Sequence, residues 1–201
     1  MADEIARWPA LPKIMPGTLP GIALAESEPA RILHLARPIE GTSLSAMLSG
    51  FTIAELPRTG RSAGAGARLL LGTGRGRWWL IDEEAPATEG KGGSLAAAFG
   101  VAVDIGDAWC RFRIAGQAVP DLLAKGSSLD LDPRVFPAGT CALAVFAQLH
   151  TLLHRAHRHA HFDLYCGRSY ARTLEEWLIE AAAEFGCKAI RKGGATTETR
   201  T

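Results

Sequence analysis

The sequence contains few cysteines, and none of them are closely paired. The chain of 201 residues has four, Cys110, Cys141, Cys166 and Cys187, and no two form a C-x-x-C motif. A zinc site built from thiolates needs ligand pairs close in sequence, which this chain lacks. Because two of the four lie in apolar, strand-like runs, we predict reduced, buried thiols that act as small apolar side chains.

Long apolar runs and an excess of one charge are also missing. The chain has 22 Lys and Arg against 21 Asp and Glu, without a basic run, so nothing favours nucleic-acid binding. No apolar stretch is long enough to span a bilayer. The opening "MADEIARWPALPK" has acidic residues where a signal peptide needs basic ones, so we expect a cytoplasmic protein without membrane contact.

Familiar catalytic and phosphate-binding motifs are absent from the sequence. It has no G-x-S-x-G motif for a nucleophilic serine. "GTGRGR" at 72–77 departs from the dinucleotide-binding motif, because Gly76 is misplaced and a strand rather than a helix follows. We predict a hairpin turn there, and turn residues for Asp130 and Asp132 just before Pro133.

Five of the six histidines lie in "HTLLHRAHRHAH", residues 150–161, and two interpretations compete. The first is a metal site. His150 and His154 have the spacing of H-E-x-x-H, but Thr151 replaces the glutamate that acts there as general base. The second interpretation is a solvent-exposed turn between two strands.

The end of this stretch decides between the two. On a strand, His157, His159 and His161 would span roughly 13 Å at about 3.3 Å per residue, too far for one zinc ion. His161 and Asp163 can add to a pair of ligands, but two neighbouring arginines repel a cation. We therefore predict an exposed hairpin turn at 157–161, and no catalytic, cofactor-binding or metal-binding residue in this chain.

Apolar periodicity predicts an α+β protein with mostly antiparallel sheets. In "WCRFRIAG", Cys110, Phe112 and Ile114 alternate with arginines, as expected of a strand with one apolar face. Predicted strands comprise residues 31–36, 67–72, 77–82, 101–108, 109–116, 136–149, 150–155 and 162–166, and predicted helices 42–50, 93–100, 118–126 and 170–186. The order suggests two α+β halves, each with helices on one side of a sheet. Core or interface positions are predicted for Trp78, Trp79, Trp109 and Trp177.

These elements divide the chain into three parts. Residues 1–30 hold five prolines and predict an extended arm, whose apolar side chains favour ordering against a partner. Residues 31–186 are predicted to form the α+β domain in two lobes, about 31–106 and 107–186. Residues 187–201 are predicted to form a flexible tail.

Three segments together resemble one known family. "VDIGDAWCRFRIAG", "DLLAKGSSLDLDPRVFPAGTCALA" and "FDLYCGRSYARTLEEWLIEAAAEFG" are similar to the gamma subunit of heterotetrameric sarcosine oxidase. The resemblance covers most of residues 31–186. It implies two ferredoxin-like halves, a fold similar to the folate-binding domain of aminomethyltransferases, and a subunit that holds no cofactor.

The same resemblance implies that other subunits carry out the chemistry. An oxidase of this family demethylates sarcosine to glycine, reduces oxygen to hydrogen peroxide and passes the one-carbon unit to tetrahydrofolate. FAD, FMN, NAD and tetrahydrofolate are implied for the alpha and beta subunits, and zinc for the delta subunit. This chain is then expected to be a non-catalytic structural subunit packed against the large alpha subunit. Two alternatives are a free-standing folate-binding or one-carbon transfer protein, and a histidine-based metal chaperone.

Overall fold

The structure is a computed structural model, and it describes residues 21–27, 31–38, 53, 55–65, 67–83, 97–156, 161–190 and 196–198. Within these residues the chain forms twelve β-strands and two α-helices. In chain order they are β1 (Ile22–Ser27), β2 (Arg31–Pro38), β3 (Ser62–Ala65), β4 (Arg68–Gly74), β5 (Arg77–Asp82), β6 (Phe99–Asp104), β7 (Trp109–Gly116), α1 (Val119–Gly126), β8 (Cys141–Phe146), β9 (Leu149–Arg155), β10 (His161–Gly167), α2 (Ala171–Ala182), β11 (Cys187–Ile190) and β12 (Thr196–Glu198).

The strands make two sheets. The larger has seven strands in the order β12-β11-β1-β7-β10-β9-β8, and the smaller has five in the order β3-β4-β5-β2-β6. Neighbouring strands are antiparallel, apart from β1 and β11, which run parallel. The predicted α+β class with mostly antiparallel sheets is therefore confirmed.

Three apolar layers hold the fold together, and strand alternation produces them. In β7, Cys110, Phe112 and Ile114 face α1 and α2, where they meet Leu122 and Leu178. The second layer lies between the two sheets and comprises Ile32, Leu71, Trp79, Ile81, Cys141, Leu152 and Tyr165. The third covers the far face of the five-stranded sheet and comprises Leu33, Leu35, Ile53, Leu70, Trp78, Leu80, Ala98 and Phe99.

One edge joins the two sheets directly. Beside a bridge between residues 61 and 140, the amide of Ser62 donates to the carbonyl of Gly139 over 2.8 Å. The segment beside this edge passes very close to β4, because a Cβ atom on Gly72 would lie 2.3 Å from the carbonyl oxygen of Arg58. Only glycine permits that approach.

Both helices end where the sequence predicts. α1 begins at Val119 with Pro120 in its first turn, where the missing N–H costs no hydrogen bond. α2 continues into a 3₁₀ turn and stops at Gly186, whose φ of +69° favours glycine. The predicted helices 118–126 and 170–186 are thus confirmed. None of the helices in the described ranges combines the length and apolar composition that crossing a membrane requires.

The structure differs from prediction at both ends of the domain. Residues 22–27, assigned above to the arm, form β1 inside the seven-stranded sheet between β11 and β7. Residues 187–190 and 196–198, assigned to the tail, form β11 and β12. β1 pairs with β7 and β11, which are both distant in sequence, so no local pattern identifies it. β11 pairs with β1 and with the nearby β12.

The predicted helix 93–100 is wrong at its C-terminal end. Phe99 begins β6, where it pairs with Pro38 and packs against Trp78 with ring centroids 5.8 Å apart. Sheet pairing therefore overrides local helix propensity here. Residues 93–96 and the predicted helix 42–50 lie outside the described residues.

Candidate functional site

The fold divides the histidine-rich stretch between surface and interior. His150 is exposed on β9, whereas His154 on the same strand is 2% exposed. His161, predicted in an exposed turn, is instead 9% exposed at the start of β10, because that strand packs between its neighbours and the second sheet. His157 and His159 lie outside the described residues. Among the described residues, no three His, Cys, Asp or Glu side chains are grouped as metal ligands.

Six side chains form what we term the inter-sheet cluster: Glu83, Arg111, Arg113, His154, His161 and Asp163. Strand register builds it, since Arg113 lies opposite Asp163, and Asp163 opposite His154, across β7, β10 and β9. Arg113 donates from Nε to Asp163 Oδ1 over 2.8 Å and from Nη2 to Oδ2 over 3.3 Å. His161 Nε2 and His154 Nδ1 lie 3.7 and 3.9 Å from the same carboxylate.

Arg111 ties this cluster to the five-stranded sheet. It is 2% exposed and lies two residues before Arg113, on the same face of β7. Two of its guanidinium nitrogens pair with the Glu83 carboxylate, which directly follows β5. A second contact between the sheets joins Ser62 Oγ on β3 to His154 Nε2 over 3.1 Å. The cluster therefore connects strands of both sheets.

The buried charges offset one another. Burial alone would raise the pKa of Asp163, but Arg111, the nearby imidazoles and Arg113 hold that pKa well below its usual value. Burial alone would lower the pKa of Arg111, and the carboxylates of Asp163 and Glu83 raise it instead. Burial and the charge of Asp163 also raise the pKa of Tyr165, whose hydroxyl has no hydrogen-bond partner in the described part of the chain. Asp163 is thus ionised and Arg111 protonated at neutral pH.

This arrangement suits a structural role better than a catalytic one. A general acid or base needs a pKa near the working pH and access to substrate. Asp163 is 3% exposed, and both of its oxygens accept from Arg113. The cluster can fix the position of one sheet against the other. Paired charges can have this structural role without any bound ligand.

A separate cleft of about 420 Å³ opens elsewhere on the surface. It is lined by His34, Thr73, Gly74, Arg75, Arg77, Trp79 and Leu143, and is termed the basic cleft below. Its rim is the "GTGRGR" segment, which makes the turn between β4 and β5, so the predicted hairpin turn is confirmed. Gly76 in that turn has a φ of +66°, a conformation that favours glycine.

The floor of the basic cleft is rigid and its imidazole is uncharged. Trp79 is 6% exposed and meets Trp109 edge-on, with ring centroids 4.6 Å apart. Burial and the positive charge of Arg77 lower the pKa of His34, so this ring is neutral at neutral pH. The remaining positive charges of the cleft are those of its two arginines.

The other candidates from the sequence have structural roles. Cys110 and Cys166 lie opposite each other on β7 and β10, buried, with their sulfur atoms 3.2 Å apart. Burial raises the pKa of Cys141 to about 12. These three thiols are buried, as predicted. Asp132 accepts from the amide and guanidinium of Arg134, which confirms its place in a turn. The predicted packing role is confirmed for Trp78, Trp79, Trp109 and Trp177.

No prediction from the sequence identified the inter-sheet cluster. A signal exists, because Asp163 lies in an otherwise apolar strand, and such a charge needs a partner when it is buried. The partner itself depends on the register between β7 and β10, since Arg113 and Asp163 are 50 residues apart in sequence. Opposite charges in two apolar strands therefore predict a buried ion pair only when the register between those strands is known.

Comparison with solved structures first defines the class of fold. Residues of this chain superpose on a glycine cleavage system aminomethyltransferase T from Bartonella henselae with a TM-score of 0.56 and 13% identity, covering 84% of this chain and 47% of that one. The chain thus spans about half the length of that aminomethyltransferase. The predicted similarity of fold to the aminomethyltransferases is confirmed.

Two further matches point to one family within this class of fold. Residues 89–184 match the sarcosine oxidase gamma subunit family. A chain of heterotetrameric sarcosine oxidase from Corynebacterium sp. U-96, solved in complex with pyrrole 2-carboxylate, superposes with a TM-score of 0.71 and 24% identity, covering 82% of this chain and 85% of that one. No curated protein sequence matches this chain significantly. The predicted resemblance to the gamma subunit of heterotetrameric sarcosine oxidase is therefore confirmed.

Proposed function

We propose that this chain is a non-catalytic, gamma-type subunit of a cytoplasmic heterotetrameric sarcosine oxidase. The observation that carries the proposal is the match of residues 89–184 to the sarcosine oxidase gamma subunit family. The likeness to a heterotetrameric sarcosine oxidase chain supports it, because it extends over 82% of this chain and 85% of that one.

The paired charges of the inter-sheet cluster support the same proposal. Asp163 is bound by Arg113, and Glu83 by Arg111, so these carboxylates serve the fold and leave no acid–base pair facing a substrate. The subunit then contributes a rigid surface rather than reacting groups. We propose that it packs against the large alpha subunit over an area of about 2,000 Å² or more, as obligate interfaces do.

In the proposed complex the other subunits carry the reaction. Sarcosine is demethylated to glycine, oxygen is reduced to hydrogen peroxide, and the one-carbon unit passes to tetrahydrofolate. The alpha and beta subunits are proposed to hold FAD, FMN, NAD and tetrahydrofolate, and the delta subunit to hold zinc. This chain is proposed to act by completing the assembly.

Co-expression tests this proposal. The chain is produced together with the alpha, beta and delta subunits of a heterotetrameric sarcosine oxidase from the same source, and the mixture is separated by size-exclusion chromatography. We expect the chain to elute with flavin absorbance and with sarcosine-dependent peroxide formation. A matched preparation that omits this chain should assemble poorly. If the chain elutes alone as a stable monomer while the others form an active oxidase, the proposal is refuted.

Calorimetry addresses the alternative, a free-standing folate-binding or one-carbon transfer protein. The shared aminomethyltransferase fold is the observation that motivates it. Such a protein needs a carboxylate to hold the pterin ring, whereas the lining of the basic cleft contains two arginines and a histidine and no carboxylate. Tetrahydrofolate is titrated into the isolated full chain. Micromolar binding would favour the alternative, and we expect none.

A further inference from the structure

The two arginines of the basic cleft have no acidic partner among the residues that the structure describes. Arg75 and Arg77 are both exposed, and neither has an ion pair with any residue that the structure describes. Several other arginines in the described ranges do form ion pairs, including Arg31 with Asp104 and Arg113 with Asp163. Two unpaired guanidinium groups at one rim favour an anionic partner, because guanidinium binds carboxylates through two parallel hydrogen bonds.

Exposed aliphatic side chains lie in the cleft lining and next to residues of that lining. Leu143 lines the cleft and is 58% exposed, and Val145, two residues further along β8, is 54% exposed. Because side chains alternate along a strand, both lie on the same face of β8. On the other sheet, Val103 pairs in register with His34 and is 49% exposed. Exposed apolar side chains close to a cleft of this kind favour its use as an interaction surface.

The cleft has room for more than a single small anion, and aromatic contacts support its floor. Its volume of about 420 Å³ is many times the roughly 30 Å³ that a water molecule occupies in the liquid, so it accommodates several side chains. Its floor, Trp79, is fixed edge-on by Trp109 and by Tyr165, with the latter ring centroid 6.1 Å away. A rigid floor reduces the ordering cost of association.

We propose that the basic cleft docks an acidic segment of a partner subunit, with a carboxylate between Arg75 and Arg77 and an adjacent apolar side chain on Leu143. The proposal rests on the proposed function, because it takes the partner to be another subunit of the same oxidase. Charge complementarity selects the occupant: the rim offers two positive charges that form no ion pair within the described ranges, and none of the described lining residues is acidic. Leu143 then contributes burial of apolar surface next to these ion pairs.

Charge reversal with a matched control tests the docking site. The double variant Arg75→Glu/Arg77→Glu is compared with Arg134→Glu/Arg172→Glu, which changes the net charge equally at side chains 87% and 88% exposed outside the cleft lining. Each full-length chain is titrated into the complex of the remaining subunits, and the affinity is measured at low and high salt. Circular dichroism and thermal melting confirm that every variant is folded.

Three outcomes are distinct. If the wild-type chain and the control pair bind alike while the cleft variant binds about tenfold more weakly or worse, the docking site is supported. If the cleft variant binds as tightly as wild type, or the control pair is weakened equally, the docking site is refuted and the proposed function stands. If the wild-type chain does not join the other subunits at all, both proposals fail together.

Discussion

Replacing Asp163 by asparagine removes the negative charge that faces two arginines, the buried Arg111 and the partly exposed Arg113. The substitution keeps the size of the side chain, so the packing around it changes little. Arg113 loses an ionised acceptor for its two hydrogen bonds of 2.8 and 3.3 Å, and Arg111 loses a nearby carboxylate. Breaking a buried ion pair in this way costs about 3–5 kcal/mol, because one charge stays uncompensated.

The expected loss of stability depends on how far water can reach the arginine that loses its ionised acceptor. Arg113 is 24% exposed, so water can partly solvate its guanidinium, and we expect the lower end of the range, about 3 kcal/mol. For a chain of this length, 1 kcal/mol shifts Tm by about 2–4 °C. The predicted decrease in Tm is therefore about 6–12 °C.

Urea unfolding of the purified full chain, followed by circular dichroism, measures the change in the free energy of unfolding. The control is Asp132→Asn, the same substitution at an exposed turn, where the Arg134 partner is 87% exposed. We expect the control to unfold at the wild-type urea concentration. A loss below about 1 kcal/mol for Asp163→Asn would refute the prediction and mean that the inter-sheet cluster does not stabilise the fold.

Three further predictions concern stability and reactivity. The folded pKa of Asp163 lies below the unfolded value of about 3.9, so the ionised side chain stabilises the fold above about pH 3.9 and loses this effect as the pH falls through the folded pKa. The free energy of unfolding of the wild-type chain should therefore decline between pH 5 and 2, and Asp163→Asn should make that decline smaller. Gly72→Ala should lower Tm markedly, since its Cβ would lie 2.3 Å from the Arg58 carbonyl oxygen, whereas an exposed Ala-for-Ser control should not. In a Cys187→Ser variant, titration with Ellman's reagent should detect no reactive thiol in the native chain and three after unfolding, because Cys110, Cys141 and Cys166 are buried. Rapid labelling of the native chain would contradict that burial.

Strands and helices can be predicted from the sequence where the pattern of apolar residues within one segment determines them. The alternation in β7 predicted which residues face the helices, and the apolar stripe of α2 predicted its length and its stop at Gly186. The turn at 75–76 is predictable because a strand-like run follows the glycines directly. In each of these cases the residues that determine the structure are neighbours in sequence.

Pairing between distant segments could not be predicted in the same way. β1 has six residues and lies beside β7, where Leu24 pairs with Ile114. The inter-sheet cluster depends on the same kind of information, because Glu83 and Arg111 come from different sheets. Burial of His161 likewise follows from which strands flank β10, and its own sequence context favours the surface.

The place of β1 in the larger sheet affects the order in which the protein can assemble during synthesis. All strands of the smaller sheet come from the continuous span 31–104, so its pairings become available while the remainder is still being translated. The segment 22–27 leaves the ribosome before that span, yet its partner Ile114 emerges only afterwards. It must therefore wait with four buried residues uncovered, which is the period when a chaperone or a neighbouring chain can capture it.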